Sequence, residues 1–580
     1  MHISRHLRPR TSAAVLTAML AMTSAAAVAA PVPARPADDF VDTIGVNIHL
    51  HFTGGVYDLD FATVIKPRLA ALGIRHVRDG VYTYPEANAD TFFYKRVREL
   101  GALGIRFDLI TGMDTNFGDT TDFSKLTQVY TWCDGAVASF EGVNEPNLQN
   151  VPDWIEQTKF VQQSLYEVVK AAPELGEVKV FGPSPVLGGG LKLGDVSAWL
   201  DHGNAHPYPG GECPTCGDVY GQGFEFYMPE FTAPSGDAVL AMTETGYHNA
   251  INAKNNHRPA SELAAGKYMP RLFLEYFNRG FVRTFSYEFI DQHDDPARTD
   301  PEKNFGLLRS DGSEKPAYVA MQSLIGLLAD PGAGFAPDSL DYGLEGEVDR
   351  VHTTLLQKRD GRFFMALWLE RSSYDTGARP NLPDDFAARG DLEVPPQAVT
   401  LTLTRPFAAA KLHQFSDDGT IASEMIDPLA ALAITVRDRL LVVELIPDAA
   451  PDTGDTGDVT GNTGDTGDTG DTGGTADTSH TSDTGDTADT GATSATSTTS
   501  VTGDSDTPTG DGPGADATTS PGDTAATGSE SSSGAGQGDD TGGCACRPQP
   551  THTTGITTGS IGLPWLAWLY TRARRRRRVP

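Results

Sequence analysis

Leu72-Gly73-Ile74-Arg75 and Leu103-Gly104-Ile105-Arg106 repeat one phrase about thirty residues apart, the length of one β/α unit. In each copy a helical run stops at Gly, the residue that best accepts the left-handed backbone ending a helix, and a strand begins at once. Working outward, short apolar runs fall at Ile44 to His49, His76 to Arg78, Phe107 to Thr111, Ser139 to Val143, Val178 to Gly182, Gly203 to His206, Val239 to Thr243 and Arg283 to Glu288. Between them lie amphipathic stretches such as Trp154 to Ala171 and Ser261 to Asn278, apolar at three- and four-residue steps. Strands alternating with helices predict a parallel sheet, and eight units need about 250 residues, close to what residues 40–330 supply. The predicted class is therefore α/β, a (β/α)8 TIM barrel. An open doubly wound sheet fits the alternation too, but no Gly-rich phosphate turn follows the first strand.

Beyond a last helix after Pro316-Ala317-Tyr318, the pattern changes to period two. Val351 to Gln357 and Phe363 to Leu367 flank the turn Arg359-Asp360-Gly361, and Val399 to Thr404 and Leu440 to Leu445 read as further strands. Residues 335–448 are thus expected to form a small β-sandwich accessory domain. Residues 450–543 are Asp-Thr-Gly repeats and Ser/Thr/Gly-rich sequence, too poor in apolar side chains to offset chain entropy, which predicts a disordered spacer.

Both ends point to export. Residues 1–30 run from a basic start through an apolar, Ala-rich stretch to Ala27-Val28-Ala29, the form of a cleaved signal peptide. Residues 544–580 hold Cys544-Ala545-Cys546, an apolar run broken by Pro564, and Arg574 to Arg578; the run is too short for a comfortable membrane span. That order resembles the C-terminal sorting signals of myxobacterial surface proteins, which implies processing near Cys544 and attachment to the cell envelope.

About eighteen of the carboxylates behind the net charge of −32 lie between residues 450 and 546, where no Lys or Arg occurs. What remains is still acidic, which disfavours nucleic acid and favours a neutral ligand. Five cysteines cannot build a fold. Cys213-Pro214-Thr215-Cys216 has zinc-ligand spacing but lacks the rest of a four-ligand site, leaving a short-loop disulfide or free thiols. Cys133 reads as a buried small residue, and no metal or other cofactor is expected.

The chemistry concentrates at two strand ends. Ser139-Phe140-Glu141-Gly142-Val143-Asn144-Glu145-Pro146-Asn147 breaks from apolar to polar at Glu145, and Val239-Leu240-Ala241-Met242-Thr243-Glu244-Thr245-Gly246-Tyr247 does so at Glu244. Cleaving a glycosidic bond requires one carboxylic acid and one carboxylate aimed at one carbon, and in a barrel such residues sit at the C-terminal strand ends. The two glutamates are about a hundred residues apart, three β/α units. An isolated Asn-Glu-Pro more often marks a turn after a strand; the second glutamate at the matching position gives it weight.

Together these motifs resemble the clan A glycoside hydrolases, a superfamily of barrels, over about 285 residues. The resemblance implies that Glu145 of Asn144-Glu145-Pro146 is the acid/base, that Asn144 binds a sugar hydroxyl, and that Glu244 is the nucleophile. Arg78 then looks like the strand-two arginine supporting the nucleophile, and His206-Pro207-Tyr208 like a strand-six motif in which Tyr208 orients Glu244. Arg78 and Tyr208 would hold Glu244 ionised, and its charge would keep the proton on Glu145. Where many clan members place a sugar-stacking Trp, this chain has Tyr287-Glu288; Tyr287 could stack less extensively, and Glu288 could bind a hydroxyl or exclude an anionic sugar.

The expected activity is that of an exported, retaining glycosidase of β-linked glycans. The alternatives are a glycan-binding adhesin on a degenerate barrel, or a transglycosylase. His49 and His51 are expected to line the pocket floor or satisfy core hydrogen bonds rather than ligate metal. Trp154, Tyr220, Phe224 and Tyr227 could be sugar platforms, though ordinary packing suits each as well.

Overall fold

The computed structural model describes residues 31–448 apart from 113–120, 150, 217–223, 255–256, 380–381 and 428–429. The leader, Tyr220, the Asp-Thr-Gly stretch and the Cys/Arg tail lie outside the described residues.

Eight parallel strands form the barrel: β1 (Ile44–Asn47), β2 (His76–Gly80), β3 (Arg106–Ile110), β4 (Val137–Glu141), β5 (Lys179–Phe181), β6 (Gly203–Ala205), β7 (Leu240–Thr245) and β8 (Thr284–Ser286). Each overlaps a strand expected from the sequence. Neighbours pair in sequence order, with β8 between β1 and β7. A parallel bridge from Phe181 to His202 joins β5 to the lead-in of β6 and closes the ring.

The repeated Gly has the role its phrase predicts. Gly73 caps helix Lys66–Leu72 with φ +77° and Gly104 adopts φ +87°, a region where a side chain would meet its own backbone. Helix Trp154–Ala171 runs as read, and helix Glu262–Asn278 begins with the Ser261 hydroxyl accepting from the Ala264 amide. Among the described residues no helix is long and apolar enough to cross a membrane.

The C-terminal region adds two antiparallel layers. One sheet orders Tyr342–Gly346, Gln397–Leu403 and Ala431–Val436; the other orders Ile421–Ile426, Ala409–Phe415, Leu441–Ile446, Phe363–Leu369 and Val351–Gln357. Strand Phe363–Leu369 is buried at every position because both its faces are covered. Phe363, Met365 and Leu367 join the core between the two sheets, whereas Phe364, Ala366 and Trp368 join the barrel core with Tyr268, Leu272 and Tyr276 of helix Glu262–Asn278. Period two thus reads as an unbroken apolar run. Residues Arg35–Pro36 pair with Val351–Gln357, so the start of the described chain contributes to the second sheet. Two residues bearing a Pro offer no alternation from which this could be read.

One buried ion pair ties barrel to sheet. Arg271 Nη2 lies 2.8 Å from Glu370 Oε2, and both side chains are fully buried. Trp368 Nε1 and the backbone and hydroxyl of Thr215 also donate to Glu370. Thr215 sits inside the Cys213–Cys216 disulfide loop, which settles the state of that pair, while Cys133 is a free, buried thiol.

Candidate active site

Arg78, on β2, is wholly buried inside the barrel, which demands a partner for each of its five N–H groups. Nε and Nη2 form paired 2.7 Å bonds to Glu141, and Nη2 also reaches Asn144 Oδ1 at 2.7 Å. Nη1 donates to Glu244 Oε1 at 2.7 Å and to Asn47 Oδ1 at 2.8 Å. Asn47 in turn donates to the carbonyls of Thr243 and Ser286, so β1, β2, β4, β7 and β8 share one network.

Glu244 receives Arg78 on one oxygen and the Tyr208 hydroxyl, at 2.9 Å, on the other. Glu145 Oε1 lies 3.0 Å from His206 Nδ1, which is itself 3.6 Å from Glu244 Oε2. One oxygen from each glutamate and one His206 nitrogen all lie within 4.8 Å of one another. The sequence-derived set Arg78, Asn144, Glu145, His206, Tyr208 and Glu244 therefore meets at the C-terminal mouth of the barrel.

The network around His206 assigns its tautomer. Thr243 Oγ1 faces two oxygens that only accept, Asn204 Oδ1 at 2.7 Å and Glu141 Oε1 at 3.2 Å, and its single hydrogen must go to them. Asn204 is oriented by its own amide bond to the Gly182 carbonyl. His206 Nε2, 3.0 Å from Thr243 Oγ1, is then the donor. Nδ1 is then the ring nitrogen that faces Glu145.

The backbone is shaped to the same end. Glu145 has φ +41° and ψ 52°, a left-handed conformation that costs a non-glycine residue on the order of 1 kcal/mol and is found at functional sites. Past Glu244, Gly246 has φ +145°, and a Cβ there would stand 2.7 Å from the Tyr287 carbonyl oxygen. Only glycine lets this loop lie against the end of β8.

Two acids inside the barrel escape a reading based on strand ends. Burial opposes the charge of Glu141, but Arg78 overrides it and holds the carboxyl below its ordinary range. Its neighbour Asp108 is pushed well above the carboxylate range by burial and then by the charge of Glu141, so Asp108 keeps a proton. Glu141 is thereby the anion that fixes Arg78. An acidic residue closing the apolar strand Val137–Glu141 was the available signal.

The end of β8 holds further carboxyls. Glu288 is fully buried, accepts from Gln292 at 2.9 Å, and is held well above the carboxylate range by burial and then by Asp291 and Glu244. Glu302, in the turn Pro301–Lys303, is pushed up to about 9 by burial and by Glu288, Glu244, Asp300 and Glu145. Nothing in its loop sequence is periodic, so the sequence gives no sign of this placement.

Tyr287 is buried with its ring edge-on to His49 and Phe305. His51 Nδ1 lies 2.8 Å from Asp79 Oδ1, and Asp79 also accepts from the Leu50 amide, the hydrogen-bonding role expected of that region. Trp154 and Phe224 belong to packing clusters with Leu193 and with Tyr276, respectively.

The three-atom group of Glu145, His206 and Glu244 is compact enough to hold a divalent ion. Both Glu244 oxygens are already hydrogen-bonded, one of them to a guanidinium, and that positive charge suits a proton-handling site better than a cation site.

Comparison with solved structures finds glycoside hydrolases. The chain is similar to a family 39 glycoside hydrolase from the gut symbiont Bacteroides cellulosilyticus WH2, with TM-score 0.46 and 18% identity over 71% of this chain and 81% of that one. It is similar also to the GH39 enzyme from Xanthomonas axonopodis pv. citri, with TM-score 0.47 and 18% identity over 72% and 96% of the two chains. A family 51 α-L-arabinofuranosidase from Bifidobacterium longum gives TM-score 0.44 and 13% identity over 72% and 97%. No protein-family model and no curated protein matches the chain. The chemistry rests on the residues of the pocket itself.

Proposed function

We propose that the chain is an exported, retaining glycoside hydrolase of β-linked glycans. The observation that carries the reading is the pair Glu145 and Glu244, with carboxyl oxygens within 4.8 Å at the mouth of the barrel. Retaining glycosidases hold their two carboxyls about 5 to 5.5 Å apart, whereas inverting enzymes leave roughly 6.5 to 9.5 Å for a water between acid and base. A gap this short between one oxygen of each supports the retaining reading.

Each glutamate has surroundings suited to one half of the reaction. Glu145 delivers its proton to the glycosidic oxygen as that bond breaks, and a Glu244 oxygen bonds to the anomeric carbon, giving a covalent glycosyl-enzyme and a free alcohol. Glu145, now a carboxylate, takes a proton from water, whose oxygen displaces Glu244 from the same carbon. Arg78 and Tyr208 donate to Glu244 and keep it aimed, and they meet its charge again when it leaves. With Asn144 Oδ1 held by Arg78, its amide N–H groups are the part left to meet a sugar hydroxyl.

Export and attachment to the envelope rest on the basic-apolar leader and on the Cys, apolar and Arg segments of the tail. Residues 450–543 would act as the spacer between residues 40–448 and the tail.

The test is Glu244→Gly together with a 2-fluoro glycoside that traps the intermediate. The variant should lose turnover on a panel of plant, fungal and bacterial polysaccharides, and the trap should label Glu244 in the wild type. Retained turnover in Glu244→Gly sinks the assignment.

A further inference from the structure

Tyr208 stands on a loop and not on a strand. β6 ends at Ala205, three residues earlier, yet the Tyr208 hydroxyl has to stay 2.9 Å from Glu244 Oε2. The barrel itself holds the near side of the loop, where the Pro207 carbonyl accepts from the Thr245 hydroxyl at 2.7 Å and from the Tyr276 hydroxyl at 3.2 Å. On the far side come Pro209, Gly210 and Gly211. Gly210 adopts φ +63°, and glycine gives up more conformational freedom on ordering than any other residue, so this stretch needs an anchor further on.

The anchor comes from the C-terminal region. Just past strand Phe363–Leu369, the Ser372 hydroxyl accepts from the Cys213 amide at 3.1 Å and donates to Glu212 Oε2 at 2.7 Å. Glu370 Oε1 accepts from the Thr215 amide at 2.8 Å and from the Thr215 hydroxyl at 2.9 Å. The Cys213–Cys216 disulfide closes the loop that presents Thr215, and Glu370 is itself fixed by Arg271 and by Trp368 Nε1. Gly211 lies against the same segment: a Cβ there would stand 2.6 Å from Thr376 Cγ2 and 2.0 Å from the Pro259 carbonyl oxygen.

Glu212, Thr215 and Ser372 are polar and half-buried, so this clamp fixes a position rather than fills a core. The hydrogen bond it protects is sensitive to position. A shift of about 1 Å at Tyr208 takes its hydroxyl out of bonding range of Glu244, and misplacement of that size at a reacting group costs a large part of the rate.

We propose that Ser372 and Thr215 are positioning residues, which hold Tyr208 against Glu244 through the clamp on residues 212–215. The C-terminal region thereby takes part in the active site as well as packing on the barrel. This rests on the glycosidase reading and deepens it.

Ser372→Ala and Thr215→Val, made singly in the full chain, test it on a panel of aryl β-glycosides. Each removes one hydroxyl of the clamp and should lower kcat by about threefold to tenfold, with KM within about twofold of the wild type. Thr215→Ser keeps the hydroxyl and should restore the wild-type rate. In a Tyr208→Phe background neither substitution should lower kcat further, because both act through the Tyr208 hydroxyl. A loss of equal size with and without that hydroxyl overturns the proposal, as does a wild-type kcat in both single variants. A second readout needs no turnover: 3-fluorotyrosine is placed at Tyr208 and its 19F resonance recorded. The resonance should shift or broaden in Ser372→Ala and Thr215→Val at an unchanged melting temperature, and return to the wild-type position in Thr215→Ser; a resonance unmoved in both variants overturns the proposal. A wild-type chain that turns over glycosides while the variants match it in rate and resonance refutes the clamp alone. A chain that turns over no glycoside, yet shows the expected 19F shifts, upholds the clamp and refutes the glycosidase reading instead.

Discussion

Glu302→Gln should make the protein more stable, and only above mildly acidic pH. In the unfolded chain the Glu302 carboxyl titrates near 4.5, whereas in the fold it holds its proton up to about 9, because burial disfavours the charge and Glu288 and Glu244 repel it. Below 4.5 both states are protonated and the group contributes no pH-dependent loss. Between 4.5 and 9 the unfolded chain ionises freely while the folded chain cannot, so stability drains away as pH rises. At about 1.4 kcal/mol per pH unit, the loss by pH 7 is on the order of 3 kcal/mol. Gln is neutral throughout and escapes it. Guanidinium midpoints of both proteins, followed by Trp fluorescence at pH 4.5, 6, 7 and 8, should coincide in trend at the acid end and diverge steadily in favour of Gln. A gap that is constant with pH, or one that favours Glu at pH 8, refutes the burial and charge argument.

The buried pair between barrel and sheet gives a second expectation. Arg271→Met and Glu370→Gln each strand a buried partner and should cost about 3 to 5 kcal/mol, while the double variant costs much less than their sum; additive losses in thermal unfolding would show that the pair is not coupled. His49 gives a third. Its ring is held down to about 4 by burial, against 6.5 when unfolded, so its contribution is complete above 6.5 and lost as pH falls toward 4. His49→Gln should flatten the acid limb of the melting-temperature profile, and an unchanged limb would mean that the ring is not buried neutral.

Much was legible in the sequence because it is local. The Leu-Gly-Ile-Arg phrase, the helical spacing of Trp154–Ala171 and the apolar strands are properties of a few neighbouring residues, and they set the element order and hence the parallel barrel. Glu145 and Glu244 could be found because strand ends in a barrel all open on one face, so a position along the chain implies a position in space. Arg78, His206 and Tyr208 were legible through the family resemblance of their motifs. Strand pieces such as Arg35–Pro36 were not legible, since their pairing is made by a partner more than three hundred residues away.

What the sequence by itself determined was the alternation of strand and helix and which acids stand at strand ends. Tertiary structure alone decided which neighbours set their charge. Glu141 fixes Arg78 only because β2 and β4 are close across the barrel interior, and Glu302 comes under the influence of Glu288 only because the chain after its turn folds back over β8. Periodicity reports which face of an element is apolar; the ionisation of a carboxyl depends on burial and on charges within a few ångströms, which chain position does not encode.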